Sequence, residues 1–247
     1  MVCRSRLIIC LIAVVYLCIL CNLFFIANNN PALAAAASQS KWTVTVSTSR
    51  GTIYDCHMLP LVNAQTEYKA VCTPNVELLP LLRKNTTDAA FQSITKSMRN
   101  GAPIVTPLTG MLSQRADLLC FATKNRYGNR QLAPHIIGYC KDGVGVAGVE
   151  LSCNSILSRY TGSMTVTYEI SGDKQQLNGI MPTVTDTTPI SVGGIILTLD
   201  RAAQTIVEDT AVNILSKGAV VVLDPYSGDI IACASYPSYQ PSSVALS

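Results

Sequence analysis

The apolar positions of the chain fall into one long block and a series of short periodic ones. Leu7 to Ala27 is a run of 21 residues without a charge, in which Asn22 is the most polar. At 1.5 Å of rise per residue a helix of this length spans a hydrocarbon core of about 30 Å, so residues 7–27 are predicted to form a transmembrane helix. Arg4 and Arg6 precede the block and no basic residue follows until Lys41. This asymmetry assigns residues 1–6 to the cytoplasm and everything after Ala27 to the outside. A cleaved signal peptide is the competing reading, with Ala32-Leu33-Ala34 as its cleavage site, but its apolar core would be only about 7–15 residues long. Asn28 to Ser40 is polar and rich in small residues, as a juxtamembrane linker would be.

Beyond the linker the periods are short. Lys41 to Ser49 sets Trp42, Val44 and Val46 against threonines and serines, a strand pattern, and Thr165 to Ile170 alternates again. Two β-prone runs within Gly51–Val62 flank Asp55–Pro60 and predict a hairpin. Thr87 to Asn100 places Phe91, Ile94 and Met98 on one face of a helix that Gly101 would end. His135 to Cys140 is a short apolar run, predicted as a strand. Ile195 to Leu199 leads to Asp200, a good N-cap. The helix after it carries Ile206, Val207, Ala211, Ile214 and Leu215 on one side and is predicted to close at Lys217-Gly218. Ala219–Leu223 and Ile230–Ala234 flank a turn-rich DPYSGD segment, a strong hairpin signal. The pattern is an anchored ectodomain of the α+β class.

Composition narrows the function. The chain is 49% hydrophobic and 13% charged, against about 25% charged in an ordinary soluble domain, which excludes a disordered protein. A net charge of +3 from scattered basic residues gives no nucleic-acid footprint. Cys56, Cys72, Cys120, Cys140, Cys153 and Cys233 lie beyond the apolar block. They contain no CxxC pair, and with two histidines in the chain no zinc spacing and no metal site is read. The spacings leave open whether these six cysteines pair or stay reduced.

Several motifs resemble chemistry without its context. Gly143-Val144-Gly145-Val146-Ala147-Gly148 has GxGxxG spacing, with Glu169 downstream. Lys141 and Asp142 separate it from the preceding apolar run, and no βαβ unit follows, so it reads as a glycine-rich loop with no cofactor. A secreted dinucleotide enzyme would bind NAD through Gly143, Gly145 and Gly148. Ser93-Ile94-Thr95-Lys96 and Ser38-Gln39-Ser40-Lys41 match SxxK, and Ser152-Cys153-Asn154 matches SxN. With no KTG downstream these are chance matches, and no catalytic residue is assigned.

One set of motifs is ordered. Arg50-Gly51-Thr52-Ile53-Tyr54-Asp55 with Pro60-Leu61 resembles the RGxIyDRnGxxLA signature that opens the noncatalytic module of class B penicillin-binding proteins. His135-Ile136-Ile137-Gly138-Tyr139, then Gly145-Val146-Ala147-Gly148-Val149-Glu150 and Leu157, resembles that module's later HxIGY and GxxGxE…L motifs. Gly194 to Asp200 with Gln204 is similar to the family's linking helix. Lys217 to Pro225, with Ser227 to Ala232 and Ala234 to Tyr239, is similar to the first hairpin of its transpeptidase domain. Cys56-His57-Met58 stands where the family has Arg-Asn-Gly, so a turn glycine is missing.

The resemblance implies a single amino-terminal transmembrane helix, an elongated mixed α/β dimerisation-type module, and the first helix and hairpin of a transpeptidase domain. The corresponding divisions are 1–6 cytoplasmic tail, 7–27 anchor, 28–45 linker, 46–190 module and 191–247 start of the transpeptidase domain. It implies a pedestal in the bacterial cell membrane, with the ectodomain outside, contacting a membrane glycan polymerase and able to form a homodimer. The catalytic SxxK, SxN and KTG motifs would follow Ser247, so the chain as given is expected to be inactive alone. A free-standing scaffold is the alternative. Arg50, Gly51, Asp55, Gly138, Gly145, Gly148 and Glu150 are the module's motif residues, with Arg50 expected to pair with Glu150 or Asp55.

Overall fold

The computed structural model describes residues 2–28, 40–73, 75–97, 102–115, 117–171, 180–190 and 193–245. Helix α1 (Val2–Asn28) covers 27 residues. Its side chains are described over residues 12–26, where the large apolar ones are exposed. No helix among the described residues is long and apolar enough to cross a membrane. Residues 29–39, most of the expected linker and including Ser38 of the first SxxK match, lie outside the described residues.

Strand β1 (Lys41–Ser49) pairs antiparallel with β8 (Gly162–Glu169), which pairs in turn with β9 (Thr183–Asp186). A second sheet was not read from the sequence. Its central strand β3 (Gln65–Cys72) lies between β4 (Ile104–Leu108) and β5 (Leu118–Asn125). The two-residue period of a strand sorts this sheet's side chains between two cores. Ala70, Cys72, Leu118 and Cys120 face α2 (Leu79–Asn85) and α3 (Asp88–Ser97), burying Leu78, Leu82 and Ile94. Val71 and Leu119 meet Val46, Val166 and Tyr168 of the first sheet. The sheet is thus covered on both faces, which is why β3 ends in three buried residues rather than an apolar-polar alternation. In α3, Ser93 and Lys96 are exposed, and Ser93 Oγ donates to Ala89 O of its own helix.

A third core brings together segments distant in sequence. Strand β2 (Thr52–Tyr54) pairs in parallel with β10 (Gly194–Ile196). Ile53, Leu61, Val62, Tyr127, Ala133, Ile137, Leu157 and Leu199 pack together around them. The expected hairpin within residues 51–62 is reduced to one antiparallel bridge, Tyr54 to Pro60. The expected strand at His135–Cys140 is corrected. Pro134 to Ile137 is a one-turn helix, α4, and only Cys140–Lys141, β6, is extended, against β7 (Val144–Gly145). Proline at the first helical position and Gly138 at φ 74° just past the end favour the helix. Two further short helices, α5 (Gly148–Ser152) and α6 (Asn154–Leu157), follow.

Helix α7 (Arg201–Ile214) starts where the sequence places it. The Asp200 side chain accepts from Ala202 N and Ala203 N. It ends at Ile214 with Leu215 extended, and Gly218 opens the next strand instead of capping the helix. That strand, β11 (Gly218–Leu223), forms the expected antiparallel hairpin with β12 (Ile230–Tyr236). The fully buried Gln204 ties α7 to β12. Its amide donates to Cys233 O and accepts from Cys233 N, both at 2.8 Å. A last helix, α8, is Pro241–Ala245.

Candidate functional site

The loops around β2, β6 and α5 converge on one carboxylate. Glu150, at the start of α5, has no solvent exposure. Its Oε2 accepts from Arg50 Nε at 2.9 Å. Its Oε1 accepts from Arg126 Nε at 2.8 Å and Nη2 at 2.6 Å, and from Tyr127 Oη at 3.0 Å. Two guanidinium groups for one carboxylate leave an excess positive charge, which surrounding oxygens absorb. Arg50 Nη1 donates to Gly143 O at 2.7 Å, and Nη2 to Asn154 Oδ1 at 2.7 Å and Glu150 O at 3.2 Å. Arg126 Nη1 donates to Gly51 O at 2.7 Å. Buried charges of this kind persist only when nearly every donor and acceptor is used. Tyr127 accepts from Cys140 N at 2.8 Å, and burial, then the Glu150 charge, pushes its phenol well above the usual range.

Glycines let the backbones approach. A Cβ on Gly145 would lie 1.9 Å from Glu150 O, and one on Gly138 1.9 Å from Ala147 O. Gly138 and Gly148 also take φ of 74° and 58°, where side chains are strained. The GxGxxG spacing therefore serves close packing around Glu150. Gly51 N donates to Leu157 O at 3.0 Å, closing the same junction.

Of the motif residues, the structure brings Arg50, Gly51, Gly138, Gly145, Gly148 and Glu150 together. Asp55 lies in a separate cluster and does not pair with Arg50. Buried to 1% exposure, it accepts from His57 N at 2.9 Å and Leu59 N at 2.7 Å through Oδ1, and from Arg201 N at 3.2 Å through Oδ2. Asp55 thus ties the turn after β2 to the amino end of α7. In that turn Met58 takes φ 61° itself, the left-handed geometry a glycine would adopt without strain. Arg126, Tyr127 and Asn154 were missed by sequence reading. Arg126 and Tyr127 sit at no motif, and Asn154 entered only through a chance SxN match. The described cysteines are free thiols. Burial pushes Cys72 from 9.0 up to about 12.

Further contacts fasten the loop at residues 129–134 to the carboxy-terminal part. Glu208 of α7 accepts from Ala133 N at 2.6 Å, and Arg130 meets Asp209 at 2.5 Å. Tyr239 Oη donates to Pro134 O at 2.7 Å. A cavity of about 630 Å³ lies between this loop and α7, lined by Gln131, His135, Val212 and Ser235 among others.

No family model matches the chain. It is 28% identical over 240 aligned positions to the peptidoglycan D,D-transpeptidase MrdA of Salmonella typhimurium, covering 80% of this chain and 37% of that protein. It is 30% identical over 125 positions to the probable peptidoglycan D,D-transpeptidase PenA of Neisseria meningitidis, covering 48% of this chain and 21% of that protein. The chain thus spans about a third of the length of MrdA and a fifth of PenA. Among solved structures, penicillin-binding protein PBP2 of Helicobacter pylori aligns with TM-score 0.44 and 19% identity over 82% of this chain and 44% of that one.

Proposed function

We propose that this chain, a partial region of a class B penicillin-binding protein, is the membrane-anchored, noncatalytic base of a peptidoglycan D,D-transpeptidase. The observation that carries this reading is the ordered match to the transpeptidase MrdA across 80% of the chain. The Arg50–Glu150–Arg126 cluster suits a support rather than a catalyst. Every charge in it is committed to another buried group, and it fixes the loops on which the module's shape depends. In this reading residues 7–27 cross the bilayer. Ile12, Leu17, Phe24 and Phe25 are 61, 61, 70 and 66% exposed, as side chains awaiting lipid would be. Residues 1–6 are cytoplasmic, residues 46–190 form the pedestal outside the membrane, and residues 191–247 open the transpeptidase domain. The complete protein would cross-link peptidoglycan through a serine acyl-enzyme and contact a membrane glycan polymerase.

The test is to raise antibody to residues 46–190 and treat native membranes with a fluorescent penicillin. The immunoprecipitated band is expected to carry the label and to be larger than the 26.4 kDa of this chain. A membrane band of 26.4 kDa that takes no label would replace the transpeptidase reading with a free-standing scaffold.

A further inference from the structure

The turn after β2 and the amino end of α7 bring three metal-type ligands together. Cys56 Sγ lies 3.2 Å from His57 Nδ1, and His57 Nδ1 lies 3.5 Å from Asp200 Oδ2. One ligand atom from each of the three residues falls within 4.8 Å of the others. In a tetrahedral zinc site, with bonds of about 2.0–2.3 Å, ligand atoms stand about 3.3–3.8 Å apart. The two separations that include His57 are already close to that, and the third lies within 4.8 Å.

The side chains are also held from behind. Cys56 N donates to Leu199 O at 2.9 Å, and His57 N to the buried Asp55 at 2.9 Å. Asp200 spends Oδ1 on Ala202 N and Ala203 N, at 2.7 and 2.9 Å, and leaves Oδ2 facing His57. Such backing fixes ligand direction before an ion arrives. Sequence spacing did not reveal the trio because Asp200 is remote in sequence, and only the β2–β10 pairing brings it to the turn. In the sequence this is also the turn where Cys56-His57-Met58 replaces the family's Arg-Asn-Gly.

We propose that Cys56, His57 and Asp200 form a binding site for a zinc-class divalent ion. One sulfur, one imidazole and one carboxylate suit Zn²⁺ and exclude Mg²⁺ and Ca²⁺, which take oxygen ligands. Cys56 and His57 are exposed, so a water molecule completes the coordination. The thiol proton is released to solvent as the Zn–S bond forms. Bound there, the ion fastens the turn after β2 to the start of α7, alongside the Asp55 to Arg201 bond.

The test uses the full chain in detergent, reduced and free of oxygen, titrated with Zn²⁺ and separately with Co²⁺ as a spectroscopic probe. The wild type is expected to bind one equivalent. With Co²⁺ it should show the intense visible bands of tetrahedral coordination and a thiolate charge-transfer band. Cys56→Ser should remove the charge-transfer band, and Cys56→Ser, His57→Gln and Asp200→Asn should each weaken Zn²⁺ binding at least tenfold. Asparagine caps a helix as well as aspartate, so Asp200→Asn keeps α7, and circular dichroism checks this. Zn²⁺ should raise the melting temperature of the wild type and not of Cys56→Ser. Absence of binding, or binding that all three variants retain because other thiols hold the ion, would overturn the proposal.

Discussion

Two of the junctions that hold this molecule together, the Glu150 cluster and the α7–β12 contact, are built on opposite terms. Around Glu150, a fully buried carboxylate meets the buried Arg50 and the half-buried Arg126, and every charge is answered by another group. At the other end, α7 is fastened to β12 by the neutral Gln204 amide, while β11 leaves Val221, Val222 and Leu223 at 51, 36 and 54% exposure. The first junction is complete in itself, and disturbing one member strands the rest. The second satisfies its backbone but not its apolar surface. A buried charge cluster gives rigidity at the risk of large losses, whereas an apolar strand in water loses little when altered and invites association.

The largest expected effect tests the first half of that contrast. Glu150→Gln leaves the buried Arg50 and the half-buried Arg126 without a counter-charge and should cost about 3–5 kcal/mol in denaturant unfolding. A loss below about 1 kcal/mol would mean the cluster is solvated in solution. Next, Gly145→Ala forces a Cβ against Glu150 O and should cost about 1–3 kcal/mol, with no loss of charge.

Alkaline titration probes the neutral core between the junctions. The Cys72 thiol is raised from 9.0 to about 12 by burial, so above pH 9 the unfolded chain releases a proton that the folded chain retains. Stability should therefore fall between pH 9 and 12, by up to about 1.4 kcal/mol per pH unit from this group. Cys72→Ala should flatten that slope, and an unchanged slope in the variant would assign it to other groups. Met58→Gly removes a strained left-handed side chain that is 61% exposed, and should stabilise by about 0.5–1 kcal/mol in the same unfolding assay. The smallest effect belongs to the second junction. Leu223→Lys should change stability by no more than about 0.5 kcal/mol while lowering light scattering on concentration.

The sequence disclosed the parts of the fold whose periodicity is local and one-sided. β1 and β8 turn one face to water, so their alternation is clean, whereas α7 and the β11–β12 hairpin were legible from the Asp200 cap and the DPYSGD turn, since Ile206, Ile214 and most of β11 stay exposed. The β3–β4–β5 sheet was not legible because both its faces are covered, which removes the alternation that marks a strand. The run at His135–Cys140 misled because four apolar residues suit a strand or a helical turn equally, and what decides is Pro134 just before it and Gly138 within it. At the charged junction Arg50 and Glu150 were legible through the ordered motifs. Arg126 and Tyr127 were not, because what recruits them is proximity across the fold rather than any spacing along the chain.

The parallel pairing of β2 with β10 has a mechanical consequence. Leu197 N donates to Tyr54 O at 2.9 Å and Thr52 N to Gly193 O at 2.9 Å, so the path from β1 to α7 is short-circuited at one point. The long stretch between Asp55 and Gly193 hangs from that point as a closed loop. Tension applied between α7 and β1 loads this stem in shear, shared with the β1–β8 ladder and the Ala133 to Glu208 bond, which tie both ends to the loop.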